Sequence, residues 1–205
     1  SGLRPRSNLK FLFDGEEEAG SPHMRGILER NKALLKADGM IFCDGPVHQS
    51  RRPLIAFGAR GNTSLAVTVY GPARELHSGH YGNFAPNPAL ALAHLLASMK
   101  DEDGRVRIAG FYDDVVPFNE AELKAIAAAP PVEDQLKREF AIGATDSPGK
   151  RIDEANGLPA FNIQGITSGG TGAEARNVVP ATATASIGIR LVKGMDQIGR
   201  ASCRE

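Results

Sequence analysis

The chain carries no net charge, little cysteine and no long apolar run. Lys plus Arg equals Asp plus Glu at 24 each, so the formal net charge is zero. That balance argues against a basic nucleic-acid-binding face and a polybasic membrane anchor. No stretch reaches the roughly 20 apolar residues that a spanning helix needs, so no membrane partner is expected. Residues 1–8 place no apolar core behind their arginines, so no signal peptide is read there. The 2 cysteines show no disulfide spacing, which fits a reducing cytosol and a cytoplasmic location. No internal repeat is evident.

The remaining balance is that of an ordinary globular protein. Hydrophobic residues make up 41% and charged residues 23% of 205, enough for one large domain or two small ones. Both ends are expected to be cut. The chain opens almost directly into an expected strand. It closes on Ile198-Gly199-Arg200-Ala201-Ser202-Cys203-Arg204-Glu205, which has neither apolar period nor cap. Those residues resemble a translated sequencing adapter and are set aside as a non-native tail.

Residues 9–13 and 40–43 read as buried strands. Between them a helix is expected, with Ser21 as N-cap, Pro22 as first residue and Gly39 as stop. Met24, Ile27, Leu28, Leu34 and Leu35 fall mainly on one face of it. Strand, helix and strand make a βαβ unit, which brings the carboxyl ends of both strands to one edge. After Pro53 the pattern changes. Residues 61–70 alternate as a half-exposed antiparallel strand, with Leu65, Val67 and Val69 on one face. Helices are expected over 88–99, 120–129 and 132–140, with Pro130-Pro131 breaking the second. A short strand is expected at 105–110, and strands at 161–166 and 182–192. This later region reads as an α+β layer, helices on one face of an antiparallel sheet. The boundary is placed near Gly58.

Phe11-Leu12-Phe13 runs into Asp14-Gly15-Glu16-Glu17-Glu18. Acids so crowded repel one another unless solvated or neutralised by a cation. Glu17 and Glu18 are adjacent, so one can ligate a metal while the other takes a proton from metal-bound water. A solvated acidic helix start is the plainer alternative. Asp44 ends the second apolar run and faces the same expected edge, though Asp-Gly-Pro is also a turn signal. His77 lies in a glycine-rich loop, where a histidine donates to an oxyanion, binds metal or simply sits exposed. Arg190, between apolar strand residues, suits a bidentate grip on a carboxylate or a structural ion pair. His23, His48 and His94 carry no functional signal, and His94 is read as structural.

Six stretches occur in a fixed order: Phe13-Asp14-Gly15-Glu16-Glu17-Glu18-Ala19-Gly20-Ser21, Cys43-Asp44, Arg60-Gly61, Leu76-His77-Ser78-Gly79-His80-Tyr81-Gly82, Asn177-Val178-Val179-Pro180 and Ile189-Arg190-Leu191-Val192. Together they resemble the co-catalytic zinc hydrolases: cytosolic dipeptidases, aminoacylases, glutamate carboxypeptidases, acetylornithine deacetylase and succinyl-diaminopimelate desuccinylase. The His77 loop is most similar to the dipeptidase branch. The resemblance implies an α/β fold class. Residues 1–58 would be a fragment of a doubly wound zinc-peptidase catalytic domain. Residues 59–193 would be a ferredoxin-like α+β lid or dimerisation domain, a four-stranded antiparallel sheet with two helices. Residues 194–205 would begin a return segment and end in the tail.

The same resemblance implies roles. Glu17 is similar to the general acid/base. Glu18 and Asp44 are similar to metal ligands, one on each of two zincs per full-length subunit, with manganese or cobalt as alternatives. His77 is similar to the histidine that reaches into the partner subunit's active site and steadies the tetrahedral intermediate. Arg190 matches the arginine that holds the substrate carboxylate. Asn177 occupies a lid position that is often Thr in dipeptidases. The implied activity is hydrolysis of a dipeptide or small peptide next to a free carboxylate, in a homodimer. The family's His-x-Asp segment, bridging Asp and downstream His have no counterpart here, so the chain alone is expected to be inactive. An N-acyl-amino-acid deacylase and a non-catalytic dimerisation or binding module stay open as alternatives.

Overall fold

The computed structural model describes residues 5–45, 47–56 and 58–195. Two compact units divide the chain, Ser1–Val47 and His48–Glu205. The tail at 198–205 lies outside the described residues.

The first unit has a 3-10 turn at Glu17–Ala19 and two short helices, α1 (Met24–Arg30) and α2 (Lys32–Leu35). The single helix expected from Pro22 is broken at Asn31. Its side-chain amide donates to the Ile27 carbonyl at 2.9 Å. Such a local bond competes with helix continuation. Ser21 is not the cap: its φ is 51°, and its hydroxyl donates to Asp14 Oδ2 at 2.5 Å. His23 stands at the cap position of α1 and makes no side-chain cap bond.

No strand forms at 9–13 or 40–43, so the expected βαβ unit is absent among the described residues. Phe13 and Ile41 are each 88% exposed. The physical reason is cover. Parallel strands are stable when helices bury both faces of a wider sheet, and two isolated strands are marginal in water. The doubly wound half-domain expected here is not formed by this unit's described residues.

The second unit runs β1 (Gly61–Tyr70), β2 (Leu76–His77), α3 (Ser78–Tyr81), α4 (Pro88–Met99), α5 (Glu120–Ala128), α6 (Glu133–Glu139), α7 (Ile152–Asn156), β3 (Ala160–Thr167), β4 (Val178–Val179) and β5 (Thr182–Leu191). β1, β5 and β3 form a three-stranded antiparallel sheet in that order, and β2 with β4 a two-stranded ladder. The expected four-stranded sheet is therefore three strands plus a separate ladder. The strand expected at 105–110 shrinks to one bridge, Lys100 to Val106. The Val106 N–H is taken by the Tyr112 hydroxyl at 2.9 Å, and so is lost to any longer ladder.

Alternation sets the two faces of the sheet. Ala183, Ala185, Ile187, Ile189 and Leu191 of β5 are buried on one face, with Leu65, Val67 and Val69 of β1 packed beside them. α4 covers this face with Pro88, Leu92 and Leu96, spaced four apart on one helical stripe. Asn87 starts that helix by accepting from the N–H groups of Ala89 at 2.9 Å and Leu90 at 3.4 Å. Leu92 and Ile187 are fully buried at 0% exposure. Each such side chain contributes about 1.5–3 kcal/mol. The register then leaves Asn62, Ser64, Thr68, Thr184, Ser186 and Arg190 on the opposite, open face. Away from the sheet, Arg151, the residue before α7, ties the start of that helix to the end of α5. Its guanidinium donates to the carbonyls of Ile126 at 2.5 Å, Ala129 at 2.8 Å and Pro130 at 3.1 Å.

Candidate functional site

In the acidic segment, two of the carboxylates are tied down by local bonds. Asp14 accepts from the Glu16 N–H at 2.9 Å and from the Ser21 hydroxyl. The Ser21 bond first, then the Glu16 N–H, hold the Asp14 carboxyl below its ordinary range. Glu16 faces His23, with Nδ1 2.8 Å from Oε2. Glu17 and Glu18 begin the 3-10 turn and are exposed. Gly20 closes the turn with φ 81°, a left-handed backbone that suits glycine.

Asp44 is exposed, in a segment without regular structure. Among the described residues neither strand forms, so no pair of strand tips exists to carry Glu18 and Asp44 to one edge. Among the described residues, no group of three or more His, Cys, Asp or Glu side chains could hold a metal ion. Structural and catalytic zinc sites use at least three protein donors. The described residues of this chain alone therefore do not fit a metal centre.

The second unit does bring two of the singled-out residues together. His77 ends β2 and pairs in register with Val178, the residue after Asn177. The Asn177 carbonyl accepts from the Ser78 N–H at 2.9 Å. An ion pair between Arg176 and Glu75 at 2.8 Å flanks the same ladder. It is exposed on one side, and such pairs add at most about 1 kcal/mol. His77 is also the N-cap of α3, its Nδ1 accepting from the Gly79 N–H at 3.1 Å. The His80 ring lies 4.8 Å from the His77 ring, tilted by 50°.

Arg190 sits in the central strand of the other sheet, opposite Asn62 and Ala160, on the open face. Arg60 lies near it. Burial first, then the Arg190 charge, push the Arg60 guanidinium down from its ordinary value. Two neighbouring cations on a polar sheet face favour an anion. In the sequence Arg60 stands out only as part of a motif. Its electrostatic link to Arg190 depends on the antiparallel register of β1 and β5, which no local pattern reveals. His94 is exposed on α4 rather than packed in the core.

The family described as Peptidase dimerisation domain matches residues 57–198. The human Beta-Ala-His dipeptidase is 28% identical over 193 residues, covering 92% of this chain and 38% of that protein. A Cys-Gly metallodipeptidase of Schizosaccharomyces pombe is 28% identical over 195 residues, covering 92% of this chain and 40% of that protein. Among solved structures, an M20 family metallo-carboxypeptidase of Sulfolobus solfataricus superposes with a TM-score of 0.73 at 30% identity, over 91% of this chain and 43% of the other. The chain thus spans about two fifths of the length of the curated relatives it matches.

Proposed function

The chain belongs to the peptidase dimerisation domain family, and from that premise we propose that it is part of a metal-dependent dipeptidase. The reaction is hydrolysis of an amide bond next to a free carboxylate, in dipeptides or small peptides. The observation that carries this reading is the ladder of β2 and β4, which holds His77 beside Asn177 within the family-matched residues. The relatives named for Beta-Ala-His and Cys-Gly support the substrate class.

In this reading residues 59–193 form the dimerisation unit, in a cytoplasmic homodimer. Arg190 binds the substrate carboxylate, and Asn177 lines the same substrate. The His77 ring donates to the oxyanion that develops at the scissile carbonyl. Glu17 carries a proton to the leaving amine. Glu18 and Asp44 are two carboxylate donors of a zinc centre, with manganese or cobalt as alternatives, whose other donors this chain does not supply. The 205-residue chain by itself is inactive.

The test is an assay of the full parent protein on dipeptides and on N-acetyl amino acids. Dipeptide hydrolysis that a chelator abolishes and that His77→Ala slows about hundredfold in kcat supports the reading. Hydrolysis of N-acetyl amino acids alone replaces it with a deacylase. No hydrolysis of either, with dimerisation intact, replaces it with a binding module.

A further inference from the structure

The glycine at position 79 has no backbone reason to be glycine. It lies in α3 and does not adopt a positive φ. Alanine is the better helix former at such a position. Space accounts for it instead. A Cβ at position 79 would lie 2.9 Å from His77 Cε1 and 3.1 Å from His77 Nδ1. The imidazole ring lies against this turn, where any larger residue would displace it.

The same residue settles the ring's hydrogens. The Gly79 N–H donates to His77 Nδ1 at 3.1 Å. A nitrogen that accepts from a backbone N–H carries no proton of its own. In that contact His77 is a neutral imidazole whose Nε2–H is its one ring donor. The His80 ring stands 4.8 Å away. Ser78, between His77 and Gly79, is anchored by its N–H to the Asn177 carbonyl at 2.9 Å.

We propose that Gly79 is a positioning residue for His77. Its N–H selects the Nε2–H tautomer, and its missing side chain gives the ring room to hold that aim. The functional part rests on His77 acting at the oxyanion in the proposed dipeptidase. A donor aimed in advance at the developing charge is worth more than one that must first reorient.

Two measurements test this separately. In the 205-residue chain, uniformly labelled with nitrogen-15 and held near pH 8.5, where an ordinary histidine is neutral, His77 is expected as the Nε2–H tautomer. A scalar coupling across the hydrogen bond should join the Gly79 and His77 Nδ1 nitrogens. In Gly79→Ala that coupling should vanish and the tautomers mix, while the melting temperature holds or rises. No coupling in the parent sequence, or an identical His77 spectrum in Gly79→Ala, overturns the proposal. In the full parent enzyme, Gly79→Ala should lower kcat about tenfold with KM within about twofold. Unchanged kcat with a displaced ring overturns the functional part. If the parent hydrolyses no dipeptide, the dipeptidase reading fails and the spectra still decide the tautomer.

Discussion

The two units of this chain carry similar apolar runs and treat them in opposite ways. Residues 9–13 and 40–43 leave Phe11, Phe13, Ile41 and Phe42 exposed, whereas 182–191 bury every second residue. The difference is pairing. β5 has antiparallel neighbours on both sides and α4 across one face. The runs of the first unit have neither a ladder nor a helical layer among its described residues. Hydrophobic pattern records which side chains need cover, and a strand forms only where the fold provides it.

Paired truncations test that contrast most strongly. Leu92→Ala should cost about 2–5 kcal/mol, because the helix and sheet around it can collapse only partly into the cavity. Phe13→Ala should change stability by less than about 0.5 kcal/mol, as exposed substitutions usually do. Urea unfolding of both variants measures the gap, and equal losses would erase the distinction between the units.

A smaller effect is expected at Arg151, which holds the second unit together away from the sheet. Arg151→Ala leaves the carbonyls of Ile126, Ala129 and Pro130 without their donor. The expected loss is about 1–3 kcal/mol, read by thermal melting. Its Nε is 3.7 Å from Glu133, within ion-pair range but too far for a hydrogen bond.

The smallest effect is a pH dependence. Burial pushes the Glu133 carboxyl up. The N–H groups of Ile152, Glu133 itself and Val132, with the Arg151 charge, outweigh it and hold the group below its ordinary range. A depressed carboxyl stabilises the fold above its unfolded-state value of about 4.3 and loses that contribution as pH falls through the folded value. Glu133→Gln should flatten the acid side of the stability profile below about pH 4. A profile that stays equally steep would remove Glu133 from the account.

Much of the second unit is legible in the sequence. The alternation of Leu65, Val67 and Val69 marks β1, and Asn87-Pro88 marks the start of α4 where the structure has it. Asn119 and Glu122 close a capping box at α5, with bonds of 2.9 Å and 2.7 Å. The ladder of β2 and β4 is not legible, because two-residue strands have no period. The break at Asn31 and the left-handed Ser21 follow from single side-chain bonds, which override helix propensity. Of the proposed site, His77, Asn177 and Arg190 are singled out by motif resemblance alone. The contacts of Gly79 with His77 and of Arg60 with Arg190 are not, since each depends on what the fold sets beside it.

In the proposed dimer, His77 of one subunit serves the site of the other. Mixing full parent chains bearing His77→Ala with chains bearing Glu17→Ala, each slowed about hundredfold or more alone, tests it directly. Random reassociation makes about half the dimers mixed, each with one complete site. Recovery of about a quarter of the parental dipeptidase activity is the predicted result. Subunit exchange with no recovered activity would contradict it.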